Sequence, residues 1–555
     1  MHKHYVVIIS GKTCTGKTGL ARALEERYGF RVVSTRTLLN DKLDVCSQDH
    51  RPSLIERARE LDEKSNSRWI VDGVQSLFHQ LSEDDPGIVV DHVSTSEQVL
   101  QFRECFGANL VHVHLYSTQE TLLKRYASIE TSSDAPPYSA IDHLSAESVD
   151  HLKSDADVRI FTDRTDSKDT LVRVAAHLHL LTPPDLRCVD VLVGGQYGSE
   201  GKGNIVAYLA NEYDVLVRVG GPNAGHTVAS TDGKIVHHQL PSGTRFSNAK
   251  ILLGPGITLN VEGLLAEIAK SGIGPERLFI DPQATIIEPV DIANEEGGVK
   301  GTIASTGSGS GEAKARRIRN RGKIGEPVRL AKDIEDLRPY LGSTEEHLEL
   351  AYRQGHSVLL EGTQGSALSL YHGEYPYVTS RDTNVAGCLA EAGISPSRVR
   401  KILMVVRTTP IRVADPDGDN GNTSGHLKVE TTFRHIAERA GLNPDDVEAA
   451  EKTSTTHRKR RVGWFEWSQF RRACNLNAPT DVVLTFVDYL SISNQNARRF
   501  EQLTPDTIKF IEELERVAQA PVSLINTRFP QKEGDFKDLR SIIDRRNWTA
   551  RSRFR

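Results

Sequence analysis

Two glycine-rich loops in this chain each contain Gly-Lys, and each could wrap a polyphosphate. The first, Gly11-Lys12-Thr13-Cys14-Thr15-Gly16-Lys17-Thr18, fits G-x-x-x-x-G-K-[ST] at every position. It follows the apolar run VVIIS and precedes GLARALEERYG, the strand–loop–helix setting that the pattern needs. Gly11 and Gly16 let backbone N–H groups turn toward a phosphate, and the helix start adds the positive end of its dipole. Lys17 then reaches the β- and γ-phosphates, and Thr18 holds Mg2+. WIVDG (69–73) reads as a second apolar strand ending in Asp72, placed for Mg2+ directly or through water.

The second loop, GGQYGSEGKG (194–203), is of another kind, because Gly203 follows Gly201-Lys202 where Ser or Thr would be required. It still runs from a strand, VDVLV, into a helix, NIVAYLANEY, so phosphate binding remains physically sensible. Three further features stand out downstream. His226 lies in N-A-G-H-T, although a lone histidine is more often structural. Gln364 lies in EGTQG, where it is either a ligand contact or a turn residue. Arg458-Lys459-Arg460-Arg461 would ordinarily be a solvated patch, yet guanidiniums are what a dicarboxylate needs.

Taken in order, these segments resemble the adenylosuccinate synthetase family. GGQYGSEGKG is similar to that family's G-x-Q-W-G-D-E-G-K-G, and RVGGPNAGHTV (218–228) to its second signature. HHQLPSG (237–243) and ILLGPGITLN (251–260) follow as expected, and STGSGSG (305–311) resembles the nucleotide-phosphate loop. EGTQGSALSLYHGEYPYVTSRDT (361–383) is very close to the family, TSTTHRKRRVGW (453–464) resembles its aspartate-binding loop, and LTFVD (484–488) sits at its guanine-recognition position. The likeness runs from 189 to 547.

The resemblance implies a ligase that uses a nucleoside triphosphate, GTP or ATP, to phosphorylate O6 of a 6-oxopurine nucleotide. The amine of L-aspartate then displaces that phosphate, which with IMP yields adenylosuccinate for AMP synthesis. It implies that Lys202 with Gly198, Glu200, Gly201 and Gly203 cradles the triphosphate, that Asp488 reads its base, and that His226, Ser199, Lys202 and Gln364 form the catalytic set. Asn223, Thr306, Thr383, Val413 and Arg317 would hold the purine nucleotide. Thr455, Thr456, Arg458 and Arg460 would hold aspartate, and Gly225 with Ser199 would face Mg2+. In the family one arginine near 316–321 comes from the neighbouring subunit, so a homodimer is implied.

The chain departs from the family at three places. Ser199 replaces the aspartate that serves as N1 base and Mg2+ ligand, and a hydroxyl is too weakly acidic and uncharged for that task. Serine here resembles the phage-type 2-aminoadenylosuccinate synthetases, which take (d)GMP, so IMP and (d)GMP both stand as substrates. Phe486 occupies the position of a lysine that packs on the base, where its ring offers stacking instead. Ser308 replaces a loop arginine, leaving Arg316, Arg317, Arg319 and Arg321 as phosphate contacts. These losses also motivate a reading of another class, a nucleotide-sensing regulatory protein with impaired chemistry.

The elements that must position these residues form two α/β units. The strand–glycine-loop–helix pattern restarts after LTPPDLRC (181–188), a stiff linker, which predicts a P-loop kinase-like domain over 1–182 and a larger synthetase-like domain over 188–555, each with its own parallel sheet. In the first, STRTLL (34–39), LVHVHLYSTQETLLKRY (110–126) and ADVRIFTD (156–163) resemble small-molecule and nucleotide kinases, with Arg36 and Arg125 as candidate phosphate clamps and 131–139 as a loop or lid. The fusion leaves open a bifunctional enzyme or a regulatory domain. Segments 294–311 and 414–425 read as ligand loops.

Composition bounds the rest. With 38% hydrophobic and 26% charged residues in 555, the chain supports a sizeable core. A net charge of −5 argues against nucleic acid as partner. The 6 cysteines lack CxxC spacing, so no zinc site or disulfide framework is expected. No apolar run approaches the roughly 20 residues that span a bilayer, so membrane is excluded as a partner and the cytoplasm is the expected compartment.

Overall fold

The computed structural model describes residues 4–43, 51–83, 85–129, 137–138, 149–230, 233–322, 327–416, 421–453, 457–528 and 541–550. Thr455, Thr456, Cys46 and most of 131–139 and the middle of 414–425 lie outside the described residues. The chain divides into two compact units, Met1–Leu181 and Thr182–Arg555.

In the first unit, β1 (Tyr5–Ser10), β2 (Arg31–Val33), β3 (Gly87–Val90), β4 (Leu110–Tyr116) and β5 (Val158–Phe161) pair in the order β2-β3-β1-β4-β5. All pairings are parallel. A parallel sheet is covered on both faces, and the residues of β1 alternate accordingly. Val6 and Ile8 pack toward α4 (Arg68–Phe78) and α5 (Ser96–Phe106), while Val7 and Ile9 pack toward α1 (Lys17–Tyr28) and the helix Ser167–His177. The remaining helices used below are α2 (Thr35–Leu43), α3 (Arg51–Ser65) and α6 (Gln119–Ile129).

Residues 69–73 correct an expectation. They lie in helix α4, not at the end of a strand. Ile70, Val71 and Val74 are buried with Trp69, a helical spacing that a short apolar run cannot distinguish from a strand. Asp72 is on the outer face, beside Arg68 at 3.7 Å. The strands adjoining β1 are β3 and β4, and the residue following β3 is Asp91.

The second unit is built on nine strands in the order β12-β10-β7-β14-β6-β15-β19-β20-β21. Here β6 is Val189–Gly194, β7 Val215–Arg218, β10 Lys250–Leu253, β12 Leu278–Ile280, β14 Val358–Glu361, β15 Val399–Arg407, β19 Asp481–Thr485, β20 Val522–Asn526 and β21 Ile542–Asp544. Only the last pairing, β20 with β21, is antiparallel. Every residue of β6 is buried, as a central strand between two covered faces requires. Val189, Val191 and Val193 join one core, and Leu192 joins the other beside Ile205 and Val206 of the helix Lys202–Leu209.

Smaller sheets stand around the main one. A hairpin pairs β8 (His226–Ser230) with β9 (Gly233–His237), and β11 (Thr258–Leu259) pairs with β13 (Thr285–Ile286). β16 (Ile411–Val413), β18 (Arg460–Gly463) and β17 (Glu430–Thr431) form an antiparallel trio. Among the described residues no helix is long and apolar enough to cross a membrane, and the cysteines are free.

Candidate functional site

At the C-terminal edge of the nine-stranded sheet lies a cavity of about 280 Å³, bordered by the second glycine loop, the start of β8, the loop after β14 and the start of β18. Open parallel sheets bind ligands at this edge, because strand ends and helix starts meet there. Four non-glycine residues that line it, Ser199, Ala304, Gln364 and Phe486, hold φ between 55° and 58°. That left-handed backbone costs about 1–3 kcal/mol at each and is kept only where the surroundings over-determine it.

The glycine loop is braced from inside. The carboxylate of Glu200 is fully buried and accepts from the backbone N–H groups of Gln196 and Gly198 at 3.1 and 2.9 Å. Lys202 donates to that carboxylate and to the carbonyl of Gln364, both at 2.6 Å. Glu200 is therefore a scaffold for the loop and is not among the cavity-lining residues, whereas Lys202, Gly198, Gly201 and Gly203 are. Gly203 answers a close approach: a Cβ there would stand 3.2 Å from Cβ of His226 and 3.1 Å from the carbonyl of Thr227. A side chain there would require the start of β8 to give by a few tenths of an ångström.

His226 begins β8, and its Nδ1 lies 2.5 Å from Oε1 of Glu361 at the end of β14. Arg218 donates to the same oxygen at 2.9 Å, and the backbone N–H and hydroxyl of Ser242 donate to the carboxylate. Burial would push Glu361 up, but Arg218 and His226 outweigh it and hold the carboxyl down at about 2. Burial and the neighbouring Arg218 push His226 down to about 3, so at neutral pH the imidazole is uncharged. With Nδ1 committed to Glu361, Nε2 is the nitrogen available for chemistry.

Gln364 and Asn223 bring unpartnered polar atoms to the cavity. Oε1 of Gln364 accepts from the hydroxyl of Thr363 at 2.8 Å and from Arg381 at 3.4 Å, while its Nε2 is buried without a protein partner. Arg381 is itself clamped by Glu391, which also pairs with Lys314. Asn223 keeps its Oδ1 buried and unpaired, and its amide faces Thr379 at 3.5 Å. Buried polar atoms are rarely left unpaired, so one free donor and one free acceptor in a single cavity point to a polar ligand.

The opposite wall is cationic. Arg460 donates to Glu451 at 2.7 Å and reaches the hydroxyl of Ser199 at 3.3 Å. Glu451 also accepts from Arg407 and from Tyr489, at 2.7 and 2.8 Å. Burial opposes its ionisation, yet Arg407 and Arg460 hold it at about 2. The guanidinium of Arg407 lies 3.9 Å from the ring centre of Phe486, a cation–π contact beneath that side chain.

The cavity thus gathers Gly198, Ser199, Gly201, Lys202, Gly203, Asn223, Gly225, His226, Thr306, Gln364, Val413 and Arg460. Others stand elsewhere. Thr383 is buried with its hydroxyl on the carbonyl of Gly365, and Thr379, four residues earlier, lines the cavity in its place. Arg317 donates to the carbonyl of Gln283 and the hydroxyl of Thr285, outside the lining. Arg458 is not in the lining. Asp488 is fully buried behind it, with one oxygen unpaired and its carboxyl pushed up to about 7 by burial. Thr379, Glu451, Arg407, Arg412 and Arg381 went unnoticed in the sequence. Thr379 and Arg381 had a legible signal, their place in the same YVTSRDT segment as Thr383.

The first unit has its own cavity, about 950 Å³, around the first glycine loop. Gly11 has φ 137°, and a Cβ there would collide with the carbonyl of Leu115 at 2.1 Å. Lys17 donates to the carbonyls of Gly11 and Lys12, and Gly16, Lys17 and Thr18 line the cavity. Asp72 is absent from it, and Asp91, whose carboxylate accepts from the backbone N–H of Thr35 at 3.0 Å, is present.

Comparison with known proteins adds to this geometry. The family model described as adenylosuccinate synthetase matches residues 191–326 and 326–495, and one described as an AAA domain matches 7–137. The adenylosuccinate synthetase of Pyrococcus sp. (strain ST700) is 36% identical over 364 residues, covering 64% of this chain and 98% of that relative. That of Methanocaldococcus jannaschii is 35% identical over 346 residues, covering 61% and 93%. The cyanophage S-2L succinoaminodeoxyadenylate synthetase, solved with dGMP and with dATP as an energy donor, aligns at TM-score 0.51 and 27% identity, over 65% of this chain and 95% of that one. The fully ligated Plasmodium falciparum adenylosuccinate synthetase shares the fold at TM-score 0.54 and 20% identity, over 65% and 100%.

Proposed function

The chain belongs to the adenylosuccinate synthetase family, and from that premise we propose how its cavity performs the ligation and which substrates it takes. The enzyme is a purine-nucleotide ligase that joins L-aspartate to C6 of a 6-oxopurine nucleotide at the expense of a nucleoside triphosphate. The observation that carries our assignment of roles is one cavity lined by Lys202, by His226 with Glu361 behind it, by Gln364 with its unpaired Nε2 and by Arg460.

In this reading the amides at Gly201–Gly203 and the ammonium of Lys202 bind the triphosphate. Nε2 of Gln364 donates to the purine O6, drawing negative charge onto it as the phosphoryl group arrives. His226, held neutral by burial beside Arg218, takes up at Nε2, by way of solvent, the proton that N1 of the purine releases as O6 is phosphorylated, and the adjacent Glu361 carboxylate stabilises the resulting imidazolium. Asn223, Thr379 and Thr306 orient the nucleotide. Arg460 pairs with a carboxylate of aspartate and brings the amine to C6.

Mg2+ fits only in part. Ser199 and the carbonyl of Gly225 are neutral donors, and the nearby carboxylates Glu200 and Glu451 are taken up by protein donors. Mg2+ carried mainly by triphosphate oxygens and water suits that donor set, where it would neutralise charge on the transferring group. A homodimer belongs to the same reading, through an arginine of the helix Ser310–Arg319.

With IMP as the nucleotide the product is adenylosuccinate. Ser199 favours a second reading, in which (d)GMP is taken and 2-aminoadenylosuccinate formed. No carboxylate then competes with Glu451 for Arg460, and the small hydroxyl leaves room for a 2-amino group. The cyanophage relative, solved with dGMP and dATP, supports that reading and an adenine triphosphate as donor. Purified protein with aspartate, Mg2+, ATP or GTP, and IMP, GMP or dGMP, read by product mass, separates the two. Tight nucleotide binding without succinylated product in any combination would favour the regulatory reading instead.

A further inference from the structure

The first unit carries a glycine loop that the ligation does not use, and its cavity continues past that loop in two directions. Toward β5 it is bordered by Arg125, whose guanidinium donates to the carbonyl of Cys14 and to Thr162. Toward α2, α3 and α5 it is bordered by Arg36, Arg59, Asp62, Trp69, Asp91 and Gln98. Strand β1 lies between β3 and β4, so the loop stands where the chain turns from one half of the sheet to the other, the usual ligand crevice of such sheets. About 950 Å³ is room for two ligands on either side of it.

We propose that this cavity is a phosphotransferase site whose acceptor is a nucleoside monophosphate bearing an exocyclic amino group on its base. Arg36 and Arg59, on separate helices, supply guanidiniums for a phosphate that the acceptor already carries. An alcohol acceptor would need a base to remove its proton, whereas two guanidiniums in the lining suit an acceptor that is already an anion. Asp91 accepts from the N–H and hydroxyl of Thr35. Asp62 accepts from the indole N–H of Trp69 at 2.7 Å and from Nε2 of Gln98 at 2.9 Å.

A phosphate acceptor needs no base. Its oxygen is ionised above a second pKa of about 6. It forms the new P–O bond to the γ-phosphorus as the bond from that phosphorus to the β–γ bridging oxygen breaks, and ADP leaves. Asp62, which lines the cavity and is held by buried Trp69 and Gln98, is the acceptor we assign to that amino group. Gln98 is oriented by the backbone N–H of Ser94 at 2.9 Å, which fixes its amide so that the NH2 faces Asp62.

The proposal does not rest on the ligase reading, and its failure is read separately. The full chain with ATP and Mg2+ is given AMP, GMP, IMP, UMP, guanosine or gluconate, and nucleotide products are read by mass. We expect a nucleoside diphosphate from AMP or GMP with kcat/KM at least tenfold above IMP and UMP, and none from guanosine or gluconate. Asp62→Asn should narrow that preference at least tenfold. Arg36→Ala, at an exposed side chain, should raise KM for the monophosphate with ATP affinity retained as the check on folding. Transfer to guanosine or gluconate, equal use of all monophosphates, an Asp62→Asn preference unchanged, or ATP hydrolysis with no acceptor product would each overturn it.

Discussion

Nδ1 of His226 and Oε1 of Glu361 stand 2.5 Å apart, buried together where the β8 hairpin crosses the end of β14. The carboxylate is ionised and the imidazole neutral, so the pair is poised to accept at Nε2 the proton that N1 of the purine releases as O6 is phosphorylated. Glu361→Gln keeps the shape and removes the charge. The expected loss is roughly 100-fold or more in kcat, within the range for a general acid and its partner. KM for aspartate should stay within a factor of about three. Steady-state kinetics checks both, and an unchanged kcat would remove His226 from the chemistry.

The same pair sets an acid limit on stability. His226 is held at about 3 when folded and lies near 6.5 when unfolded, so the unfolded state binds the extra proton and stability falls as pH drops from about 6.5 toward 3. Glu361 and Glu451, both held at about 2, add stability that is fully present above about 4.5 and lost as pH falls toward 2. Asp488 works in the opposite sense. Raised to about 7, it keeps its proton when folded, and its contribution declines as pH rises from about 4 to 7. Asp488→Asn should therefore flatten that side of a melting-temperature profile and leave the acid side unchanged. An Asp488→Asn profile that matches the parent across pH 4–8 contradicts this assignment.

Gln364 should matter through its orientation as much as its presence. Thr363 and Arg381 occupy Oε1, which directs the NH2 to the cavity. Gln364→Glu replaces that donor with an acceptor and is expected to lower kcat/KM for the purine nucleotide roughly 10- to 100-fold, the cost of about 1–3 kcal/mol for a lost buried hydrogen bond. Arg381→Lys keeps a cation for Glu391 but loosens the amide, and a loss of roughly tenfold is expected with KM for the triphosphate unchanged. Equal loss for both substrates would mean that Arg381 serves only the fold.

Arg460, at the start of β18, reaches Ser199 and, through Glu451, joins Arg407 under Phe486. Arg460→Lys retains charge without the planar fork, so KM for aspartate should rise roughly tenfold or more while nucleotide binding changes little. Titration of each substrate separately gives the answer, and a selective loss of nucleotide affinity would reassign the residue.

How much of this was legible in the sequence follows from the type of signal. Both glycine loops were, because glycine spacing between a strand and a helix is a local pattern with one physical use. His226 and Gln364 were marked by their neighbours. Residues 69–73 were misread because three successive apolar residues fit either period, and the turn of α4 is decided by packing against β3. Thr379 and Thr383 share one segment, and only the folded loop shows which hydroxyl turns inward. Glu451 carried no signal, since a buried charge is recognised by its partners and Arg407 comes from 44 residues away.

The central claim is that one cavity activates the purine O6 as a phosphate ester before aspartate attacks C6. A nucleotide labelled with oxygen-18 at O6, either IMP or dGMP, tests it directly when converted with aspartate and triphosphate. The account predicts that inorganic phosphate leaves carrying the label, one labelled atom for each succinylated purine formed. Succinylated product accompanied by unlabelled phosphate would contradict it.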